Sequence, residues 1–212
     1  MFGASMVLIF CMKEEGMSMA EVKQEHTTHL LGAAVVGKTH PRIELRGRLD
    51  SLNAAIVRVQ VQAREAGCAE LEKDLEEVRD KVGEILACEV RDVSCSELSL
   101  WGLTDEEIHA RSHFPEHAYG IGHILPHPDM GRWAAELNLL RTLVREVELC
   151  ACRAFESREG IERPDIIKVL NRLSSAFYIL TYKYLPRGYD RTIRFARTEP
   201  RTDVPKREAQ SR

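Results

Sequence analysis

WAAELNLLRTLVREVELCA, residues 133–151, decides the fold. Within it Trp133, Leu137, Leu140, Val144, Val147 and Ala151 recur at steps of four and three. That alternation places them on one side of a helix with about 3.6 residues per turn. The same rhythm runs upstream through Leu45, Leu49, Leu52, Ile56, Val59 and Ala63, and again through Leu71, Leu75, Val78, Val82 and Ile85. Downstream it returns in Ile166, Leu170, Leu173, Phe177, Leu180 and Tyr184. Such stripes let near-parallel helices interdigitate, so the sequence predicts an all-α bundle of about five helices, four long and one short. Thr104 begins the short helix, with Glu107 three residues on to complete a capping box. The second helix should break near Val93 to Cys95, Pro164 suits a first helical turn, and Pro186 and Gly188 should stop the last helix. Between the short helix and the third long one, Pro115, Gly120, Gly122, Pro126, Pro128 and Gly131 argue against any helix. They predict a long loop, of a kind that is often functional in a compact bundle.

The rest of the composition narrows the class. A chain of 212 residues, 44% hydrophobic and 30% charged, suits one globular domain. The expected organisation is a poorly ordered leader over 1–26, the bundle over 27–186, and a mobile basic tail over 187–212. A net charge of -3 with interspersed signs gives no footprint for nucleic acid. No run approaches the roughly 20 apolar residues of a membrane span. Met6 to Phe10 is too short for a signal-peptide core and reads as an untidy N-terminus, for which a start nearer Met17 or Met19 is one expectation. Cys11, Cys68, Cys88, Cys95, Cys150 and Cys152 are irregularly spaced, so they read as core or surface residues of a protein in a reducing cytoplasm.

Polar residues interrupt the borders of the stripes. Arg141, Arg145 and Glu148 form one line beside Val144 and Val147. Asp50 and Asn53 lie one turn apart beside Leu49 and Leu52, and Asn171 sits between Leu170 and Leu173, ahead of the small Ser174 and Ser175. Spacing leaves two readings. One is a solvated rim of ion pairs worth little to stability. The other is a polyanion site between helices, in which forked Arg donors are oriented by carboxylates and amides. His109, His113 and His117 are spaced for one helical face, but Pro115 interrupts it and disfavours a shared metal.

Three segments then match, in order, the motifs of a known family: HPRIELRGRLDSLNAAI (His40 to Ile56), LNLLRTLVREVE (Leu137 to Glu148) and VLNRLSSAFYIL (Val169 to Leu180). They resemble the ATP-dependent corrinoid adenosyltransferases. THLLGAAVVGKTHPR (Thr28 to Arg42) and LTDEEIHARSHFPEHAYGIGHILP (Leu103 to Pro126) are similar to the ethanolamine-utilisation type of that family. The resemblance implies attack by a cobalt(I) corrinoid on the 5′-carbon of ATP, giving adenosylcobalamin, with ATP, cobalamin and magnesium as the small molecules. It implies that Thr27, Thr28, Lys38, Arg145, Glu148 and Asn171 hold ATP. It pairs Arg141 with Asp50 across a subunit boundary of a homotrimer, and makes Asp50, Arg141 and Arg145 the catalytic set. Phe114, Tyr119 and His123 are the residues it offers to the lower face of the corrinoid. The product would serve ethanolamine ammonia-lyase, in the cytoplasm or a bacterial microcompartment within it.

Two departures qualify the match. The stretch VKQEHTTHL, residues 22–30, has no glycine where the propanediol-utilisation type carries a Gly-rich phosphate loop. The leader also lacks the His and Cys-Cys-x-x-Cys run that binds a metal in some relatives, so no resident metal is expected. The rival readings are a non-catalytic adenosylcobalamin carrier on the same bundle and a purely structural helical oligomer.

Overall fold

The computed structural model describes residues 24–193. Most of the predicted leader and the tail from 194 onward lie outside the described residues. In chain order the helices are α1 (Pro41–Glu65), α2 (Ala69–Arg91), α3 (Asp105–His113), α4 (Pro115–Tyr119), α5 (Gly131–Phe155) and α6 (Pro164–Lys183). A hairpin of β1 (Thr27–His29) and β2 (Val35–Gly37) precedes them, and a smaller one, β3 (Glu156–Ser157) with β4 (Gly160–Ile161), joins α5 to α6. The four long helices form a bundle: α2 packs on α1, α1 on α5, α5 on α6, and α6 touches α2 again, with α3 packed on α6.

The predicted stripes are the core. They are buried along their length, with Trp133 and Tyr184 half-exposed at its ends. Each enclosed Leu, Ile, Val or Phe contributes on the order of 1.5–3 kcal/mol, which fixes the rotation of every helix. The ends follow local chemistry. His40 caps α1, its Nδ1 accepting the Arg42 N–H at 3.2 Å, with Pro41 at the first helical position. The predicted capping box at α3 forms in both directions, Thr104 Oγ1 accepting the Glu107 N–H at 3.3 Å and Glu107 Oε2 accepting the Thr104 N–H at 2.9 Å. α2 stops where Asp92 turns left-handed, at φ 54°.

One expectation needs correction. The segment after α3 is not free of helix: α4 starts on Pro115, whose missing N–H costs nothing at a first helical position, and ends on Gly120 at φ 71°. The bundle therefore has four long helices and two short ones. The segment before α1 is a β-hairpin, and a buried ion cluster fastens it. Glu89, fully buried, falls one turn beyond Ile85 on the α2 stripe. Its carboxylate accepts from Arg42 Nε at 2.7 Å and from Arg46 Nε, while Arg46 Nη2 donates to the Leu30 carbonyl at 2.8 Å. Leu30 directly follows β1, so a carboxylate on α2 anchors the strand bearing Thr27 and Thr28.

The chain beyond α6 also packs. Tyr189 is buried, and its hydroxyl donates to the Leu125 carbonyl. The Leu125 N–H donates to the Arg191 carbonyl at 2.9 Å, and the Ile193 N–H donates to the His123 carbonyl at 2.7 Å. Residues 189–193 thus form a strap along the 123–129 loop, closed by the Arg191–Asp129 ion pair at 2.6 Å.

Candidate functional site

A cleft of about 200 Å³ opens between α3, α5 and α6, lined by Ser112, His113, His123, Arg141, Arg145, Ser174, Ser175 and Tyr178. Arg141 and Arg145 reach it because they ride one turn apart on the border of the α5 stripe. Arg141 is half-buried, with its Nε donating to Asn138 Oδ1 at 3.0 Å and its guanidinium 5.9 Å from the centre of the Tyr178 ring. Burial, and then the charge of Arg145, push its affinity for a proton below the usual arginine range. Arg145 itself is exposed. Two guanidinium groups this close repel one another, and an anion between them would relieve the repulsion. The small Ser174 and Ser175 keep the opposite wall low enough for such an anion to enter.

Beside the cleft, Asn171 Nδ2 donates to Glu148 Oε1 at 2.9 Å, and Asn171 Oδ1 accepts from Arg172 at 3.0 Å. Arg172 is in turn held by buried Asp105, its Nε 3.1 Å from Oδ2. The predicted Glu148 and Asn171 therefore do meet. They meet through an amide whose orientation is set by Arg172 and Asp105, a pair the sequence reading passed over.

His123 lies at the far end of the cleft. Its Nδ1 is 3.0 Å from the Tyr178 hydroxyl and the two rings stack at 6.0 Å. The Tyr182 hydroxyl lies 3.0 Å from that of Tyr178, accepts the Ile124 N–H at 3.3 Å and is 3.0 Å from the Gly122 carbonyl. Burial and this neighbouring hydroxyl push the Tyr182 phenol well above its ordinary range, so it stays protonated. The loop bearing His123 is thus hung on tyrosines of α6. Tyr178 and Tyr182 are one turn apart beside the Leu–Phe stripe, which was the available signal for them.

Of the other aromatic candidates, Phe114 is exposed and faces His117 at 5.9 Å. It lines a smaller recess of about 130 Å³ that continues the cleft through His113 and His123. Tyr119 goes elsewhere, stacking on Tyr182 at 4.7 Å. It borders a larger cavity, about 400 Å³, lined also by Trp101, Leu103, Arg111 and Leu180. That cavity contains neither Arg141 nor Arg145, and size alone does not make it the reaction site. His109 and His113 approach at 4.2 Å while His117 turns to Phe114, so the three histidines do not converge.

Thr27, Thr28 and Lys38 do not line the cleft of their own chain. They belong to the hairpin, where Thr27 pairs with Gly37 and Thr28 with Val36, and Lys38 follows β2, exposed. Asp50 is exposed on α1, and Arg141 does not reach it within the protomer.

The family model described as cobalamin adenosyltransferase matches residues 19–184. The chain belongs to the cobalamin adenosyltransferase family. Among its relatives is the corrinoid adenosyltransferase EutT of Salmonella typhimurium, 37% identical over 159 residues, a match covering 74% of this chain and 58% of that protein. EutT of Escherichia coli is 36% identical over the same shares of the two chains. The chain thus matches 58% of the length of these relatives. The bundle also resembles a variant of the PduO-type ATP:corrinoid adenosyltransferase of Lactobacillus reuteri complexed with cobalamin and ATP. The TM-score is 0.61 at 18% identity, covering 80% of this chain and 95% of that one. Another variant of that enzyme, complexed with ATP, gives a TM-score of 0.57 at 17% identity. At such identities the likeness establishes the cobalamin adenosyltransferase fold. No helix among the described residues is long and apolar enough to cross a membrane.

Proposed function

We propose that this family member transfers the 5′-deoxyadenosyl group of ATP to a cobalt(I) corrinoid. The observation that carries the reading is the convergence of Arg141 and Arg145 on a small-walled cleft that ends at a tyrosine-held histidine loop. In the reaction the metal's electron pair forms the cobalt–carbon bond, the C5′–O bond breaks, and the electrons leave on the triphosphate. The nucleophile belongs to the corrinoid substrate, so the protein need supply no serine or cysteine. Its work is to align ATP and stabilise the charge that grows on the leaving phosphate.

Arg145, exposed at the cleft and without an acidic partner there, meets the polyphosphate. Asn171 and Glu148 form its polar edge. Glu148 uses Oε1 for the Asn171 amide, and no side chain among the described residues bonds Oε2. A hard cation such as magnesium, arriving with the nucleotide, suits that oxygen. Phe114 and His123 present a mostly apolar surface to the lower face of the corrinoid. A dry surface there favours four-coordinate cobalt(II), which is easier to reduce than the ligated form. With Nδ1 turned to Tyr178, the His123 ring is positioned as packing rather than as a freely swinging ligand.

The cleft is small for either substrate, Asp50 has no partner among the described residues of its own chain, and the threonine-bearing hairpin stands apart. All three features fit a homotrimer in which a neighbouring chain brings Thr27, Thr28, Lys38 and Asp50 to Arg141 and Arg145. The relatives' EutT names support a product for ethanolamine utilisation; hand-over to ethanolamine ammonia-lyase, in the cytoplasm or a microcompartment, is the use we propose for it.

The test is direct. Anaerobic protein with chemically reduced cobalamin and magnesium ATP should yield a light-sensitive alkylcobalamin spectrum. An unchanged cobalt(I) spectrum, together with tight binding of adenosylcobalamin and no ATP affinity, would instead identify a carrier.

A further inference from the structure

The fold assembles a second group of reactive side chains that the proposed reaction does not use. Glu84 and Cys88 are one turn apart on α2, and Cys95 returns to them on the segment after that helix. A Glu84 carboxylate oxygen and the two Sγ atoms all lie within 4.8 Å of one another. Cys88 is buried, Cys95 half-buried, and both are free thiols. Read from the sequence, these cysteines were ordinary core or surface residues; folding brings this pair together beside a carboxylate.

The return of Cys95 is held by several bonds. Its N–H donates to Asp165 Oδ2 at 2.9 Å, and Arg163 donates to the Val93 carbonyl at 2.7 Å and pairs with Asp165 at 2.9 Å. Lys81 lies against the cluster, 3.0 Å from Glu84 Oε2, with Ser96 Oγ and the carbonyls of Ser96 and Glu97 as its other acceptors. We propose that Glu84, Cys88 and Cys95 bind one thiophilic divalent cation of the zinc class, with water as the fourth ligand, stapling the end of α2 to the segment that follows it.

Three physical points favour a cation over a disulfide. The first is the donor set. Two sulfurs and a carboxylate match the preferences of zinc or cadmium, whereas a disulfide has no use for the carboxylate. The second is distance. A tetrahedral zinc with bonds of about 2.0–2.3 Å sets its donors about 3.5–3.8 Å apart, so closure by about 1 Å, within reach of side-chain rotation, completes the site. The third is charge. Two thiolates and a carboxylate around a divalent ion leave one net negative charge, and Lys81 offsets it. The hydrogen bond that Asp165 accepts from Cys95, and the one that Arg163 donates to Val93, are outer supports of the kind that orient metal ligands. Burial pushes the empty Cys95 thiol up to about 12, so an entering cation must displace a proton. Asp165 and Ser174 are separated by about 13 Å of helix rise, which sets the cluster apart from the arginine cleft.

The test uses the full chain, reduced without thiols, stripped with a chelator and titrated with cadmium. A sulfur-to-cadmium charge-transfer band should saturate at one ion per chain, and zinc should abolish it by competition. Cys95→Ser, at a half-buried position, should lose the band, whereas a variant with Cys68, Cys150 and Cys152 all changed to Ser should keep it. Glu84→Gln should bind zinc at least about tenfold more weakly, since even an outer partner of a ligand commonly costs that much. Because a variant can misfold, wild-type protein should also be alkylated with and without zinc and its peptides mapped, with zinc shielding Cys88 and Cys95 but not Cys152. Absence of the band in wild type, its survival in Cys95→Ser, or equal alkylation of Cys95 with and without zinc would each overturn the assignment.

Discussion

Replacing Glu89 with alanine should be among the most damaging single changes in this protein. The carboxylate is fully buried and is shared by Arg42 and Arg46, whose side chains are only 10% and 18% exposed. Removing it strands two nearly buried guanidinium groups. Breaking a buried pair by deleting one partner costs about 3–5 kcal/mol, and the only other carboxylate paired with either arginine among the described residues is Asp92, 3.6 Å from Arg42 and more than half exposed. Against a total stability of about 5–15 kcal/mol this is a large fraction. With a urea slope of about 2.5 kcal/mol per molar, the unfolding midpoint should fall by about 1–2 M. The damage should also have a direction: Arg46 loses its anchor, so hydrogen exchange should rise in residues 27–37 beyond the change elsewhere. Double replacement of Arg42 and Arg46 by methionine in the Glu89→Ala background should recover part of the loss, since it removes the stranded charges. A midpoint shift below about 0.4 M, equivalent to roughly 1 kcal/mol at that slope, would refute the reasoning. So would a loss that the methionines leave untouched.

Other outcomes follow from the cleft and its supports. Arg145→Ala and Asn171→Ala should each raise the ATP concentration needed for half-maximal rate at least about tenfold, the effect of losing a charge-assisted hydrogen bond of about 1.5–3 kcal/mol, with circular dichroism unchanged. If Asp50 and Arg141 pair between protomers, a double-mutant cycle on subunit association should give a coupling of about 0.5–3 kcal/mol; strict additivity would remove the pairing. His123→Ala and Tyr178→Phe should weaken the four-coordinate cobalt(II) signal while sparing turnover of pre-reduced cobalamin, and equal losses on both substrates would argue against a role in coordination. Burial raises the proton affinity of the Asp165 carboxyl, but Arg163 and the N–H groups of Cys95 and Ile166 outweigh it and hold the group down at about 2, against an ordinary 3.8. A depressed acid stabilises the fold above its unfolded value and loses that contribution as pH falls from about 4 towards 2. Asp165→Asn should therefore flatten this acid limb of a thermal-stability profile.

The contrast between what the chain announced and what folding added has a physical basis. The four stripes were legible because burial imposes the same three-and-four spacing on any helix facing a core, and Leu49, Val144 and Phe177 have no other place to go. Thr104 with Glu107, and Pro164, were legible because helix ends are governed by neighbouring residues. Pro115 misled because the same ring that breaks a helix interior starts one well. The hairpin at Thr27 was silent: its three-residue strands are too short to show alternation, and what fastens it, Glu89, is far along the chain. Glu148 with Asn171, and Cys88 with Cys95, illustrate the two cases. Family motifs singled out the first pair, whereas nothing in spacing joins a helical thiol to one on the following loop. The place of Asp50 is legible only as an exposed carboxylate, because its proposed partner belongs to another chain.

The strap formed by residues 189–193 bears on how the protein comes into being. As the chain emerges from the ribosome, α1 and α2 can collapse together early, and α5 and α6 can join them once their stripes are complete. The His123 loop is made before α5, yet its backbone partners, Arg191 and Ile193, are synthesised after α6 has been finished. The His123 end of the cleft therefore takes shape after the bundle. A nascent chain halted just after α6 would hold a packed bundle with an unlatched loop, and the last step of maturation would be the return of one short extended segment.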